Sequence, residues 1–109
     1  MLRYGAGDWN ALHQDLYGEV VFPLQATCVL SEPGVDFAGG EFVLVEQRPR
    51  AQSRAHVLGP PHGAFVLFPS AQRPARGTRG FHRIRVRHGL GTLTRGSRTA
   101  LGIVFHDAT

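Results

Sequence analysis

The sequence contains no lysine; all twelve of its basic residues are arginine. It has a single cysteine, Cys28, so no internal disulfide can form and a cytoplasmic location is expected. Cys28 lies in an apolar run and reads as an inert buried thiol rather than a nucleophile. No apolar run approaches the roughly 18–20 residues that span a bilayer, so no membrane association is expected. The stretch Met1–Asn10 has no apolar h-region, which leaves no sign of a signal peptide. Helical periodicity is nearly absent; only the short stretch around Trp9–Leu16 approaches it.

What is present fits a small β domain. A chain of 109 residues is expected to form one domain with a modest core. Its 42% hydrophobic content argues against general disorder. Fourteen glycines and seven prolines fall between short apolar runs, the pattern of turns between short strands. Charge is unevenly spread. Residues 1–47 hold Arg3 against seven acids, and residues 48–109 hold eleven arginines against Asp107. A basic half can attract nucleic acid. No aromatic-interleaved binding strip accompanies the charge, so it reads as a preference for arginine at solvated positions.

Strands are expected over Val20–Leu30, Glu41–Glu46, Ala64–Phe68, Phe81–His88 and Arg98–His106, with a short one starting at Val57-Leu58. Glu32-Pro33-Gly34, Gly39-Gly40, Gly59–Gly63 and Arg95-Gly96 read as turns, the last closing a hairpin between the final two strands. Residues 47–56 and 69–80 read as loops. Many short strands without alternating helices indicate a sandwich or barrel.

Three places carry chemistry. In His13-Gln14-Asp15, an extended chain points residues i and i+2 to one face, which sets an imidazole beside a carboxylate. That is two thirds of a 2-His-1-carboxylate iron site. In Phe81–His88, His88 shares the apolar face of Ile84 and Val86, while Arg83, Arg85 and Arg87 share the other. His82 has the same parity as His88, and His56 and His62 fall in expected loops. In the last strand, Arg98 shares a face with Ala100, Gly102 and Val104, which leave room for a bound anion. His-x-Asp alone is common by chance, and a hydrogen-bonded core histidine or a strand-end arginine is the ordinary reading of the other two.

Together these elements resemble the 2-oxoglutarate/Fe(II)-dependent oxygenase superfamily, in particular its prolyl-hydroxylase-like branch. The resemblance rests on His13-x-Asp15, the distal His88, and Arg98 ten residues after it in HGLGTLTRGSR. It extends to Tyr4-x-x-Gly7, with the tyrosine nine residues before His13, to Gly39-Gly40-Glu41 and to the strand Gly63–Phe68. It covers nearly the whole chain.

The resemblance implies an all-β or mainly β double-stranded β-helix (jelly-roll) with few or no helices. It implies iron ligation by His13, Asp15 and His88, and binding of the distal 2-oxoglutarate carboxylate by Arg98 and Tyr4. The implied reaction couples O2 and 2-oxoglutarate to hydroxylation of a C–H bond, with release of succinate and carbon dioxide. The expected substrate is a peptidyl residue, an amino acid or another small molecule, with nucleic acid the lesser expectation. Family domains carry helices before the first strand. Residues 1–109 are therefore expected to form a core domain without them, open to self-association. The alternatives are a cupin-like metal protein, with a loose case from His13, Asp15 and Glu19, and a non-catalytic jelly-roll module.

Overall fold

A computed structural model of the chain describes residues 1–14, 21–48, 52–77 and 80–106. These form ten strands and no helix: β1 (Leu2–Gly5), β2 (Asn10–His13), β3 (Val21–Val29), β4 (Phe37–Gly39), β5 (Phe42–Gln47), β6 (Arg54–Leu58), β7 (Phe65–Pro69), β8 (Gln72–Gly77), β9 (Gly80–Leu90) and β10 (Leu93–His106). One sheet has the order β1-β10-β3-β7, with β4 also on β10. The other has the order β2-β9-β5-β6, with β8 also on β9. All of these strand pairs are antiparallel, and the architecture is a jelly-roll sandwich.

The alternation expected for β9 and β10 holds. Ile84, Val86 and His88 are buried, while Arg83 and Arg85 are exposed and Arg87 is half-buried. On β10, Arg98 and Ala100 are buried on the inner face. Their register with β3 sets Ala100 against Val29, Gly102 against Thr27 and Val104 against Gln25. Val29, Phe37, Leu90 and Leu93 form a small core with Tyr4 packed on it. Burying a side chain of this size contributes roughly 1.5–3 kcal/mol, so these few residues fix how the sheets meet at that end.

The structure corrects three expectations. Residues 72–77 form β8, where a loop was expected. Pro74 and the arginines masked the strand. Proline is tolerated because, among the described residues, β8 pairs with β9 alone and its other edge carries no ladder bonds. Second, Arg54–His56 belong to β6 rather than to a loop, with His56 opposite Leu44. Third, the last two strands are not a hairpin about Arg95-Gly96. They part at Gly91-Thr92 and enter opposite sheets. Gly96 has φ 78° and lies against the backbone of Asp36 and Phe37, where β4 crosses β10. Its signal marks a close approach beside a bulge between Leu93 and Arg95 rather than a turn.

Toward the other end, Arg73 donates from Nε and a terminal nitrogen to the two Glu46 oxygens at 2.9 and 2.7 Å. Arg73 faces Ile84 and Glu46 faces Val86, so the pair clasps β8 and β5 across β9. These hydrogen bonds hold the Glu46 carboxyl below its usual range. The outer face of the first sheet leaves Phe65 and Leu67 largely exposed.

Candidate active site

β2 delivers His13 through an irregularity. Asn10 pairs with Leu90 and His13 with His88, so Ala11 and Leu12 stand against Gly89 alone. A Cβ on Gly89 would lie 2.6 Å from the Asn10 carbonyl oxygen. Glycine therefore lets β2 cross β9 closely. Two residues against one is a bulge, and it turns Asn10 and His13 to the same cavity although they are three apart.

The histidines meet directly. Their ring centroids are 4.2 Å apart at 54°. His13 Nδ1 lies 2.7 Å from the Ala11 carbonyl oxygen. A carbonyl only accepts, so this contact is made by an Nδ1–H, and Nε2 is the ring nitrogen that could serve as a metal ligand. His88 is buried against Phe68, ring centroids 4.8 Å, and Phe42, 6.0 Å. Beyond His13, Gln14 donates from Nε2 to the carbonyls of Ala71 at 3.0 Å and Val86 at 3.1 Å. The chain is thus anchored to the second sheet as it enters Asp15. Asp15 itself lies outside the described residues, as does Glu19. Among the described residues no group of three His, Cys, Asp or Glu could hold a metal ion. The described pair fits two imidazole ligands, and the sequence supplies a carboxylate two residues after the first.

Arg98 sits at the far end, brought to the cavity because β9 and β10 line opposite walls. It is 3% exposed and stands directly opposite Tyr4 in the β1–β10 ladder. Its guanidinium lies over the Phe37 ring, 5.8 Å from the centroid. Among the described residues no carboxylate pairs with it, and its Nε has no hydrogen-bond partner. Burial pushes the guanidinium below its ordinary pKa, and Tyr4 opposes that shift. The Tyr4 hydroxyl accepts from Asn10 Nδ2 at 3.4 Å, which leaves its proton to donate elsewhere.

Tyr4, His13, His88 and Arg98 line one cavity of about 390 Å3 between the sheets. Sequence reading grouped these four. It did not assign Asn10 or Gln25, which line the same cavity. His56 stands instead on β6, its Nε2 3.8 Å from Glu46, and His62 lies in an exposed turn.

Comparison with known proteins agrees with an oxygenase. Over 108 residues the chain is 57% identical to two Mycobacterium tuberculosis proteins. They are the uncharacterized protein MT2286 of strain CDC 1551 / Oshkosh and the uncharacterized protein Rv2227 of strain ATCC 25618 / H37Rv. The match takes in 99% of this chain and 46% of each relative, so the chain spans about half the length of the curated relatives it matches. No solved structure matches it. A family model described as "Oxygenase, catalysing oxidative methylation of damaged DNA" matches residues 1–108. That model describes an oxygenase of damaged DNA rather than the prolyl-hydroxylase-like branch, and with nearly every residue matched, the chain belongs to the Oxygenase-NA family.

Proposed function

We propose that the chain is the core of an Fe(II)- and 2-oxoglutarate-dependent oxygenase. The observation that carries this reading is Arg98: a buried cation, without a carboxylate partner among the described residues, facing the cavity that His13 and His88 share. An unpaired buried charge is strongly unfavourable, and a ligand carboxylate would complete it. 2-Oxoglutarate carries a carboxylate at each end. One would pair with Arg98 and the Tyr4 hydroxyl, while the keto acid end would reach the metal.

In this reading His13, His88 and Asp15 hold Fe(II). The bound metal supplies the activation of O2. One oxygen atom enters a substrate C–H bond, and the other enters succinate as carbon dioxide is lost. The chain's own residues set the geometry. Arg98 and Tyr4 orient the co-substrate, and Phe42 and Phe68 exclude water around His88. Anaerobic addition of 2-oxoglutarate to the Fe(II)-loaded chain is expected to produce a weak visible charge-transfer band. A cupin-like or non-catalytic module would give none.

The substrate expected from sequence was peptidyl or small, but two observations favour a nucleic acid. The family description names damaged DNA. Arg83, Arg85 and Arg87 also form a row on one face of β9. Their β5 and β8 partners on that face are Gln47, Val45, Gln72 and Pro74, none of them acidic. Alternate residues of a strand repeat at about 6.6 Å, which suits a run of phosphates. Fluorescence anisotropy with a labelled single-stranded DNA, across a salt series, tests this reading. Converting all three arginines to alanine is expected to flatten the log Kd against log salt slope by about 2, at ~0.7 per phosphate contact. An unchanged slope would leave the row an ordinary solvated face.

A further inference from the structure

Arg98 borders two cavities. The second, of about 210 Å3, is lined in part by Val29, Phe37, Gly40, Leu58 and Gly59, together with Arg98 itself. Tyr4 lines the first cavity and not the second. Phe37, whose ring lies under the guanidinium, lines the second and not the first. Arg98 is therefore a wall between them. Gly40 keeps that wall open to the second cavity. A Cβ there would meet Leu93 Cδ1 at 2.5 Å and come within 3.4 Å of Arg98 Cδ, so glycine leaves the arginine stem bare on this side.

The lining selects a ligand. Among the described residues of the second cavity, Arg98 is the only cation and Glu41 the only anion; the rest are apolar side chains or glycine. Glu41 is exposed, and among the described residues no ion pair joins it to Arg98. A guanidinium has two forked edges, each presenting parallel N–H donors. A carboxylate in the first cavity takes up one edge and leaves the other. Nε belongs to only one of these edges and has no hydrogen-bond partner. The volume is below the roughly 300–1,000 Å3 of sites for drug-sized ligands, so the occupant is small. The apolar walls favour hydrocarbon, and the Glu41 charge disfavours a second anionic group on it.

We propose that the second cavity binds a short-chain monocarboxylate, with its carboxylate on the free edge of Arg98 and its hydrocarbon against Val29, Phe37 and Leu58, and that this ligand weakens 2-oxoglutarate binding in the first cavity. The binding site stands on the placement of Arg98; the regulation rests on the oxygenase reading. Two anions that share one cation repel each other, and by linkage each lowers the affinity of the other by the same factor. A dicarboxylate is directed to the first cavity, where Tyr4 adds a hydroxyl and no described lining residue is acidic.

The test titrates butyrate, hexanoate and octanoate into the metal-free, 15N-labelled chain, with hexanamide as the uncharged control. The backbone amides of Phe37, Gly40 and Gly59 are expected to shift with at least one acid at one-to-one stoichiometry, and hexanamide to bind at least tenfold more weakly. A Cβ on Gly59 meets nothing within 4 Å, so Gly59→Phe is tolerated and its ring fills the second cavity. That variant is expected to lose the acids and to keep 2-oxoglutarate affinity with Fe(II) bound and oxygen excluded. Glu41→Gln is expected to bind hexanoate more tightly. In the Fe(II)-loaded wild type, hexanoate is expected to raise the 2-oxoglutarate Kd about tenfold and then no further, a size usual for coupled sites. A Kd that climbs without a plateau would mean simple competition in the first cavity and overturns the proposal. So does hexanamide binding as tightly as hexanoate, hexanoate affinity unchanged in Gly59→Phe or lowered in Glu41→Gln, or no binding of any acid. Acid binding is measured without iron or co-substrate, so a chain that takes hexanoate but not 2-oxoglutarate would count against the oxygenase reading and support the carboxylate site.

Discussion

An Asp15→Ala chain is expected to bind no Fe(II) at concentrations that saturate the wild type, and to form no succinate. His13 and His88 bring two imidazole rings together. Two neutral ligands do not balance a dication, and a carboxylate contributes charge as well as a third bond. His13→Ala is expected to have the same effect, because the Ala11 carbonyl bond presents that ring in the ligating tautomer. The fold should survive both changes. His13 is at the end of β2, and Gln14 anchors this segment through the carbonyls of Ala71 and Val86. His82→Ala is the matched control. His82 is six residues before His88 on β9, about 20 Å at ~3.3 Å per residue, too far to share an ion with it. Isothermal titration with Fe(II) under nitrogen, with succinate assayed separately, measures these three and His88→Ala. Full turnover by Asp15→Ala, or iron lost from His82→Ala and kept in His88→Ala, would reverse the ligand assignment.

The legible part of this molecule was the part with a period of two. Strand alternation alone placed Ile84, Val86 and His88 inside and Arg83 and Arg85 outside, because the pleat leaves no other choice once one face is apolar. The same rule put Arg98 inward with Ala100. It also applied to Gln25, which shares the parity of Thr27 and Val29, but a lone amide in an apolar run drew no attention. What sequence could not reach depends on contacts between distant segments. Gly89 gives no local sign that β2 must cross there. Gly96 looks like a turn residue until β4 is seen against it. β8 is polar and short, and it is a strand because β9 extends far enough to pair with it. The corner at Gly91-Thr92 mattered most for the site. It sends β9 and β10 into opposite sheets, so the ten residues from His88 to Arg98 span the cavity from wall to wall.

Loss of the Arg98 guanidinium is expected to weaken 2-oxoglutarate binding by one to two powers of ten. A forked, charge-assisted contact contributes roughly 1.5–3 kcal/mol, and each 1.4 kcal/mol is tenfold. Arg98→Met is the cleaner variant, since its unbranched chain preserves packing over Phe37 while removing charge and fork. Arg98→Ala tests the same contact with the packing removed as well. Arg98→Lys is expected to fall between wild type and Met: the charge survives, but one ammonium cannot present two parallel donors to a carboxylate. Tyr4→Phe removes a single hydroxyl from the opposite strand and is expected to lower affinity only about three- to tenfold, the loss of one hydrogen bond. Fe(II) affinity should change little in all four, because neither residue is assigned to the metal. Thermal stability separates a ligand-binding arginine from a structural one. A buried cation with no carboxylate partner among the described residues destabilises the ligand-free fold, so Arg98→Met should melt no lower than wild type without 2-oxoglutarate. With co-substrate and Fe(II) present, the wild type should gain stability that the variant does not, by linkage to binding. The measurements are 2-oxoglutarate affinity with Fe(II) bound and oxygen excluded, and melting with and without co-substrate. Equal affinities in wild type and Arg98→Met would remove the carboxylate from this end of the cavity, and with it the case for 2-oxoglutarate.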